Sequence, residues 1–173
     1  MKLYIAEKPS LGRAIAAALS DGKAAAQKSH KTHIELANGD VVSWCIGHIL
    51  AQADPEDYHS EFKKWRMETL PIVPEQWQLK PITRTRSQLT VLRKLVKQAD
   101  EIIHAGDPDR EGQLLVDEVI DYLKVSKLKK SNIKRLLIND LNLPAVKRSL
   151  QSLKSNSEFM PLSISALARS RAD

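Results

Sequence analysis

The sequence is short of cysteine: Cys45 is the only one in 173 residues, which excludes an internal disulfide and any multi-cysteine zinc cluster. Its apolar neighbours Trp44 and Ile46 point to a buried thiol rather than a redox centre. No apolar run approaches twenty residues and the mean hydropathy is −0.34, so the expectation is a cytosolic chain with no membrane span. The opening Met1-Lys2-Leu3-Tyr4-Ile5-Ala6-Glu7 carries a charge inside a short apolar run and reads as a strand, not a signal peptide. Internal repeats and low-complexity linkers are also missing. What remains is an ordinary globular balance, 42% hydrophobic and 28% charged, long enough for one domain with a real core.

Charge is the first positive feature. The net charge is +6, compatible with a polyanionic partner but weak evidence alone. Between Lys124 and Lys154 lie Lys127, Lys129, Lys130, Lys134, Arg135, Lys147 and Arg148 against the single acid Asp140, either a solvated face or a surface for a phosphate backbone.

Periodicity orders the rest. Lys2 to Ala6 is a strand, and Glu7-Lys8-Pro9-Ser10 breaks into a helix running to about Leu19, with Leu11, Ile15 and Leu19 on one face. Two strand-like runs, 32–36 and 41–46, flank Asn38-Gly39 and predict a β-hairpin. A long stretch rich in turn residues and aromatics follows, including Pro55, Tyr58, Phe62, Trp65, Pro71, Pro74, Trp77 and Pro81. A helix from about 85–87 to Ala99 precedes the strand Glu101–Ala105, and another helix runs from about Glu111 to Leu123. A buried strand over Arg135–Ile138 and a helix over Pro144–Leu153 complete the pattern, with Ser155-Asn156-Ser157 as a cap or boundary. The order predicts a doubly wound α/β domain with a small parallel sheet, flanking helices and a hairpin insertion.

Such sheets bind ligands beyond the carboxyl ends of their strands. Two stretches meet that edge: Glu7-Lys8, and the acidic loop Gly106-Asp107-Pro108-Asp109-Arg110-Glu111-Gly112. Glu7, Asp107 and Asp109, with Glu111 as ligand or nearby charge, can hold Mg²⁺, a hard cation bound by one or two carboxylates plus phosphate oxygens and water. The competing reading is a helix start with Asp107 as N-cap and Pro108 in the first turn. That reading needs only one or two acids, whereas three close carboxylates repel one another unless a cation intervenes. Lys8 is either a phosphate contact beside the helix N-terminus at Ser10 or an exposed lysine. Arg110 either clamps phosphate or pairs with the neighbouring acids. His48 and His104 lie near predicted strand ends and read more simply as packed or solvated side chains than as catalysts. Trp65, among Lys63, Lys64 and Arg66, either stacks on a nucleobase or anchors the irregular segment; Trp77 reads as core.

Five stretches, Ile5–Ser10, Trp44–His48, Leu70–Glu75, His104–Gly112 and Ser165–Arg169, together resemble in order and spacing the type IA DNA topoisomerases, and among them the bacterial topoisomerase III group. The likeness runs the length of the chain. It implies a Toprim domain over 1–153 and, over 154–173, the start of a helical DNA-binding domain. It implies that Glu7 is a metal ligand and general acid/base, that Asp107 and Asp109 hold Mg²⁺ with support from Glu111, and that Lys8 binds the scissile phosphate. Trp65 and Arg169 are the expected further DNA contacts. The implied partners are single-stranded DNA and the remainder of a topoisomerase chain, with no membrane, a monomeric state and a cytoplasmic, nucleoid-associated location. The family cleaves one DNA strand through a phosphotyrosine link, passes another strand and reseals. Its nucleophilic tyrosine lies beyond this sequence, and Tyr4, Tyr58 and Tyr122 stand in none of the contexts that would replace it. A fragment unable to relax supercoiled DNA alone is therefore expected; relaxation by the isolated chain would refute this. The alternatives are a Toprim nuclease or primase-like phosphoryl transferase, and a nucleic-acid-binding module without catalysis.

Overall fold

Alternation in Lys2–Ala6 builds the central strand, β1, whose last four residues are buried because helices cover both faces. The computed structural model describes residues 1–172; Asp173, at the end of the expected helical segment, lies outside the described residues. In chain order the elements are β1, α1 (Pro9–Leu19), β2 (Gln27–Ser29), β3 (His33–Leu36), β4 (Val41–Trp44), β5 (Leu50–Gln52) and α2 (Pro55–Tyr58). Then come β6 (Leu79–Pro81), α3 (Arg86–Gln98), β7 (Glu101–Ala105), α4 (Arg110–Tyr122) and α5 (Lys127–Ser131). The chain closes with β8 (Lys134–Arg135), α6 (Leu143–Leu150), β9 (Lys154–Ser155) and α7 (Met160–Ala172).

The main sheet has the order β2-β3-β4-β1-β7-β8-β9. Its centre, β4-β1-β7-β8, is parallel, while β2, β3 and β9 pair antiparallel at the margins. The mixed α/β architecture expected from the sequence is present. The hairpin around Asn38-Gly39 is built into this sheet, since β4 pairs with β1. That is why Val41 to Trp44 is buried without alternation, as a two-faced parallel strand should be.

Side-chain alternation in β1 divides the core. Leu3 and Ile5 share a cluster with Leu89, Leu92 and Leu95 of α3 and Leu115 and Val119 of α4. Tyr4 and Ala6 share the opposite one with Leu11 and Ile15 of α1 and Val146 of α6. Cys45 is fully buried in the first cluster, and burial pushes its thiol up to about 12, so it is an inert core group.

Three predicted elements come out differently. The strand expected over Arg135–Ile138 has only Lys134 and Arg135 in the ladder; the Leu136 N–H still donates to the His104 carbonyl (2.9 Å), while the Leu136 carbonyl accepts from the Arg135 guanidinium (2.8 Å). Leu136 and Ile138 are nonetheless buried. The helix expected to reach Leu153 stops at Leu150, and the chain returns to the sheet as β9. Its start is fixed by Asn142, whose side chain accepts from the Ala145 N–H (2.8 Å). The irregular segment contains a small second sheet, β5 with β6. Trp77 is half-buried there, with the Arg171 guanidinium 5.1 Å from its ring centre. Among the described residues no helix is long and apolar enough to cross a membrane.

Candidate metal centre

Parallel pairing puts Ala6 of β1 opposite Ala105 of β7, so the residues leaving the two strands, Glu7 and the acidic loop, emerge side by side. The Asp107 N–H donates to Glu7 Oε2 at 2.9 Å across 100 positions of sequence. Lys8 Nζ lies 2.9 Å from Asp107 Oδ2. The loop doubles back tightly: the Asp109 N–H donates to the Asp107 carbonyl (2.8 Å), and Asp109 Oδ1 accepts from the Gly112 N–H (2.7 Å). Asp109, not Asp107, is therefore the N-cap of α4, and Pro108 precedes the helix. Capping occupies one acid and leaves Glu7 and Asp107 without a helical role.

Two glycines permit this approach. A Cβ on Gly112 would lie 2.5 Å from the Asp107 carbonyl oxygen and 2.6 Å from Glu7 Oε2, and one on Gly106 would lie 2.2 Å from the Gly112 oxygen. The loop, the helix start and Glu7 are thus in van der Waals contact with no space for a side chain.

Burial raises the Glu7 pKa, the Asp107 N–H opposes that rise, and the charges of Asp107 and Asp109 add to it. Lys8 is raised by its hydrogen bond to Asp107 and that group's charge. Glu111 is exposed in the first turn of α4, with Arg110 Nε 3.9 Å from its carboxylate. Glu111, His48, Leu114, Ala166, Arg169 and Ser170 line a groove of about 510 Å³ between α4 and α7. Arg169 and Glu111 therefore share one groove. Trp65 is 77% exposed and so anchors no core; it projects from the irregular segment.

Beneath the loop lies a buried polar network that sequence reasoning missed. Arg135, 1% exposed, donates to the carbonyls of Gly106 (2.7 Å), Asp107 (2.9 Å), Leu136 (2.8 Å) and His104 (3.4 Å), and through Nε to Gln113 Oε1 (2.7 Å). Gln113 Nε2 donates to Asp117 Oδ2 and Asn156 Oδ1, both at 2.9 Å. His104 Nδ1 accepts from the Gly106 N–H (3.2 Å), which leaves the proton on Nε2 to reach the Gln113 carbonyl (3.0 Å). Burial, with Arg135 adding to it, lowers His104 to about 4, so it is a neutral structural group. The only sequence signal was an arginine opening an otherwise apolar run at 135–138.

The acids offer an all-oxygen donor set suited to Mg²⁺. Their ligating atoms do not converge within 4.8 Å, because each carboxylate turns toward its own donor: Asp107 N–H, Lys8 or Gly112 N–H. That spread fits a hydrated ion, which keeps several waters and needs only one or two direct carboxylates.

An acid-bearing sheet edge on parallel strands defines a class, and the comparison agrees: residues 2–141 match the Toprim domain, and the chain belongs to that family. Within it, the chain is 64% identical over 175 residues to DNA topoisomerase 3 of Vibrio cholerae, covering 99% of this chain and 26% of that protein. It is 55% identical to DNA topoisomerase 3 of Salmonella typhimurium, covering 100% and 26%, and 38% identical to that of Bacillus subtilis, covering 99% and 22%. The chain thus spans about a quarter of the length of these relatives. Full-length Topoisomerase I from Thermotoga maritima shares the fold, with a TM-score of 0.60 at 17% identity, covering 96% of this chain and 23% of that one.

Proposed function

We propose that this chain is the Mg²⁺-binding part of a type IA topoisomerase of the topoisomerase III kind, acting on single-stranded DNA together with the rest of a longer polypeptide. The observation that carries the reading is the hydrogen bond from Asp107 N–H to Glu7 Oε2, which joins two acidic stretches at one sheet edge. In this proposal Toprim occupies 1–153, and 154–173 opens a helical DNA-binding part that includes α7. The protein acts as a monomer in the cytoplasm, at the nucleoid.

Asp107, Asp109 and Glu7 would hold the Mg²⁺, with Glu111 supporting it. When bound, the ion would supply positive charge to phosphate oxygens where negative charge builds in the transition state. Lys8, 2.9 Å from Asp107 Oδ2, can turn its ammonium from that carboxylate to a non-bridging oxygen of the scissile phosphate. A tyrosine oxygen from the remainder of the chain, its hydroxyl proton released to water, forms the bond to phosphorus as the bond to the 3′-oxygen breaks. Glu7 gives its proton to that leaving oxygen and takes it back on religation. A pKa raised by burial keeps the carboxyl protonated to higher pH than an exposed glutamate. Arg169 in the Glu111 groove contacts DNA backbone, and exposed Trp65 stacks on a base.

Calorimetric titration of the chain with Mg²⁺ tests the metal assignment. The Asp107→Asn plus Asp109→Asn pair is expected to lower affinity at least about tenfold, since two carboxylate charges leave a hard-cation site. An unchanged titration would leave Asp109 as the helix cap and Asp107 as the partner of Lys8, with no metal role. Mg²⁺-dependent nicking of DNA by the chain alone would replace this reading with the nuclease alternative.

A further inference from the structure

A second cluster of ligating side chains lies at the β2–β3 margin of the sheet. In the β2–β3 hairpin Lys28 pairs with Glu35 and Ser29 with Ile34, and the His30 N–H donates to the His33 carbonyl (2.8 Å) to close the turn. This register places His30 across from His33, while the two-residue period of β3 puts His33 and Glu35 on one face. Ile34 and Leu36 point the other way, into the core. Hairpin geometry alone therefore gathers two imidazoles and a carboxylate.

Their spacing is informative. His30 Nε2 and His33 Nε2 lie 3.4 and 3.5 Å from the same oxygen, Glu35 Oε1, and the imidazole rings stack with centres 4.4 Å apart. His30 Nε2 is shut off from solvent yet has no hydrogen-bond partner. Zinc–nitrogen bonds of about 2.0–2.1 Å in a tetrahedron set ligand atoms about 3.3–3.4 Å apart, so the two separations from Glu35 Oε1 match edges of such a tetrahedron. Among the described residues this is the one group of three such side chains whose ligating atoms all lie within 4.8 Å of one another. His33 is also held in orientation: its Nδ1 lies 2.9 Å from Thr32 Oγ1, which leaves Nε2 as the ligand atom. An outer hydrogen bond on the second ring nitrogen is the usual companion of a metal-bound histidine.

We propose that His30, His33 and Glu35 form a binding site for a borderline divalent cation of the Zn²⁺ type, separate from the Mg²⁺ site. Two imidazole nitrogens select against Mg²⁺ and for Zn²⁺, Co²⁺ or Ni²⁺, and the fourth position belongs to water. The charges facing the site are Lys28, 3.9 Å from Glu35, and Lys94 of α3; both oppose a cation, so the histidines must outweigh them. Bound metal would pin the exposed strand β2 to β3 and cross-link the hairpin turn. Through the pairing of His33 with Ser43 and of Ser43 with Ile5, the site stands two strands from β1 at the same sheet edge as Glu7.

The test is titration of this chain with ZnCl₂ in buffer containing excess Mg²⁺, with CoCl₂ as a spectroscopic probe. One equivalent of Zn²⁺ is expected to bind, the melting temperature to rise, and Co²⁺ to give the intense visible absorption of a tetrahedral site. His30→Asn and His33→Asn, at half-buried hairpin positions, should each weaken Zn²⁺ binding by about a hundredfold, the upper end of what even outer-partner changes cost. The Asp107→Asn plus Asp109→Asn pair should leave it unchanged. The proposal is overturned by no Zn²⁺ binding to the unmodified chain, by wild-type affinity in either histidine variant, or by loss of Zn²⁺ binding in the acidic-loop pair. Should a histidine variant fail to fold, Glu35→Gln carries the same expectation of weakened binding and lost Co²⁺ colour, and an unchanged spectrum there also overturns it.

Discussion

Glu7→Gln, in a polypeptide that also carries the nucleophilic tyrosine, is expected to lose at least about a hundredfold of its strand-cleavage rate, the lower bound for removing a positioned general acid. Glutamine has nearly the shape of glutamate, and its side-chain oxygen can still accept the Asp107 N–H that now lies 2.9 Å from Glu7 Oε2. The loop should therefore stay in place and thermal unfolding should barely change. What disappears, in the proposed mechanism, is a carboxyl that can carry a proton to the leaving 3′-oxygen and, once ionised, face the metal with a negative charge. Trapping the covalent adduct on a labelled single-stranded oligonucleotide measures cleavage, and Mg²⁺ titration of the same variant separates the two losses. Retained Mg²⁺ affinity with lost cleavage assigns the main effect to proton transfer, whereas parallel losses assign it to the metal. Wild-type cleavage by the variant would remove Glu7 from the mechanism.

Much of this site could be read from the sequence because its parts obey local rules. The alternation in 2–6, the four-residue spacing of Leu11, Ile15 and Leu19, and Asn38-Gly39 between two β-rich runs specify β1, α1 and the hairpin through side-chain period and turn chemistry. Glu7 and Asp107 could be brought together because parallel strands of one sheet end at one edge. Features that depend on long-range pairing were hidden. The sequence places Glu7, Asp107 and Asp109 together with Glu111 as ligand or nearby charge, but the backbone folds back at Asp109, which caps α4 while Glu111 faces the groove with Arg169. Lys134-Arg135 and Lys154-Ser155 are too short for any period, and only pairing, of β8 with β7 and β9 and of β9 with β8, makes them strands. The two histidines three residues apart showed nothing until β2 set the register. Arg135 was counted as one charge in a basic stretch, although its partners come from β7, the acidic loop and α4.

Arg135→Met is accordingly expected to cost about 3–5 kcal/mol of stability, the range for removing one partner of a buried charged hydrogen-bonding group. Replacing a buried charge with an apolar group of similar volume can be neutral, but only where the partners are replaced as well. Here the partners are main-chain carbonyls of Gly106, Asp107, Leu136 and His104, which no substitution removes, and the Gln113 side chain. Methionine fills the space beside the Phe159 ring, 5.8 Å from the guanidinium, and supplies no donor. Arg135→Lys keeps a charge but not the planar fork that reaches several carbonyls at once, so it should recover only part of the loss. Urea unfolding gives the stability, and Mg²⁺ titration of the folded population gives the consequence at the site. Removing the Arg135 charge takes a competing cation away from Glu7, Asp107 and Asp109, so Mg²⁺ binding should weaken only to the extent that the loop loses its order when the Gly106 and Asp107 carbonyls lose their donor. A methionine variant within about 1 kcal/mol of wild type would mean that the carbonyls found other donors, since a typical hydrogen bond nets only that much. The order of the acidic loop would then rest on Gly106, Gly112, the Asp109 cap and the bonds of Asp107 to Glu7 and Lys8.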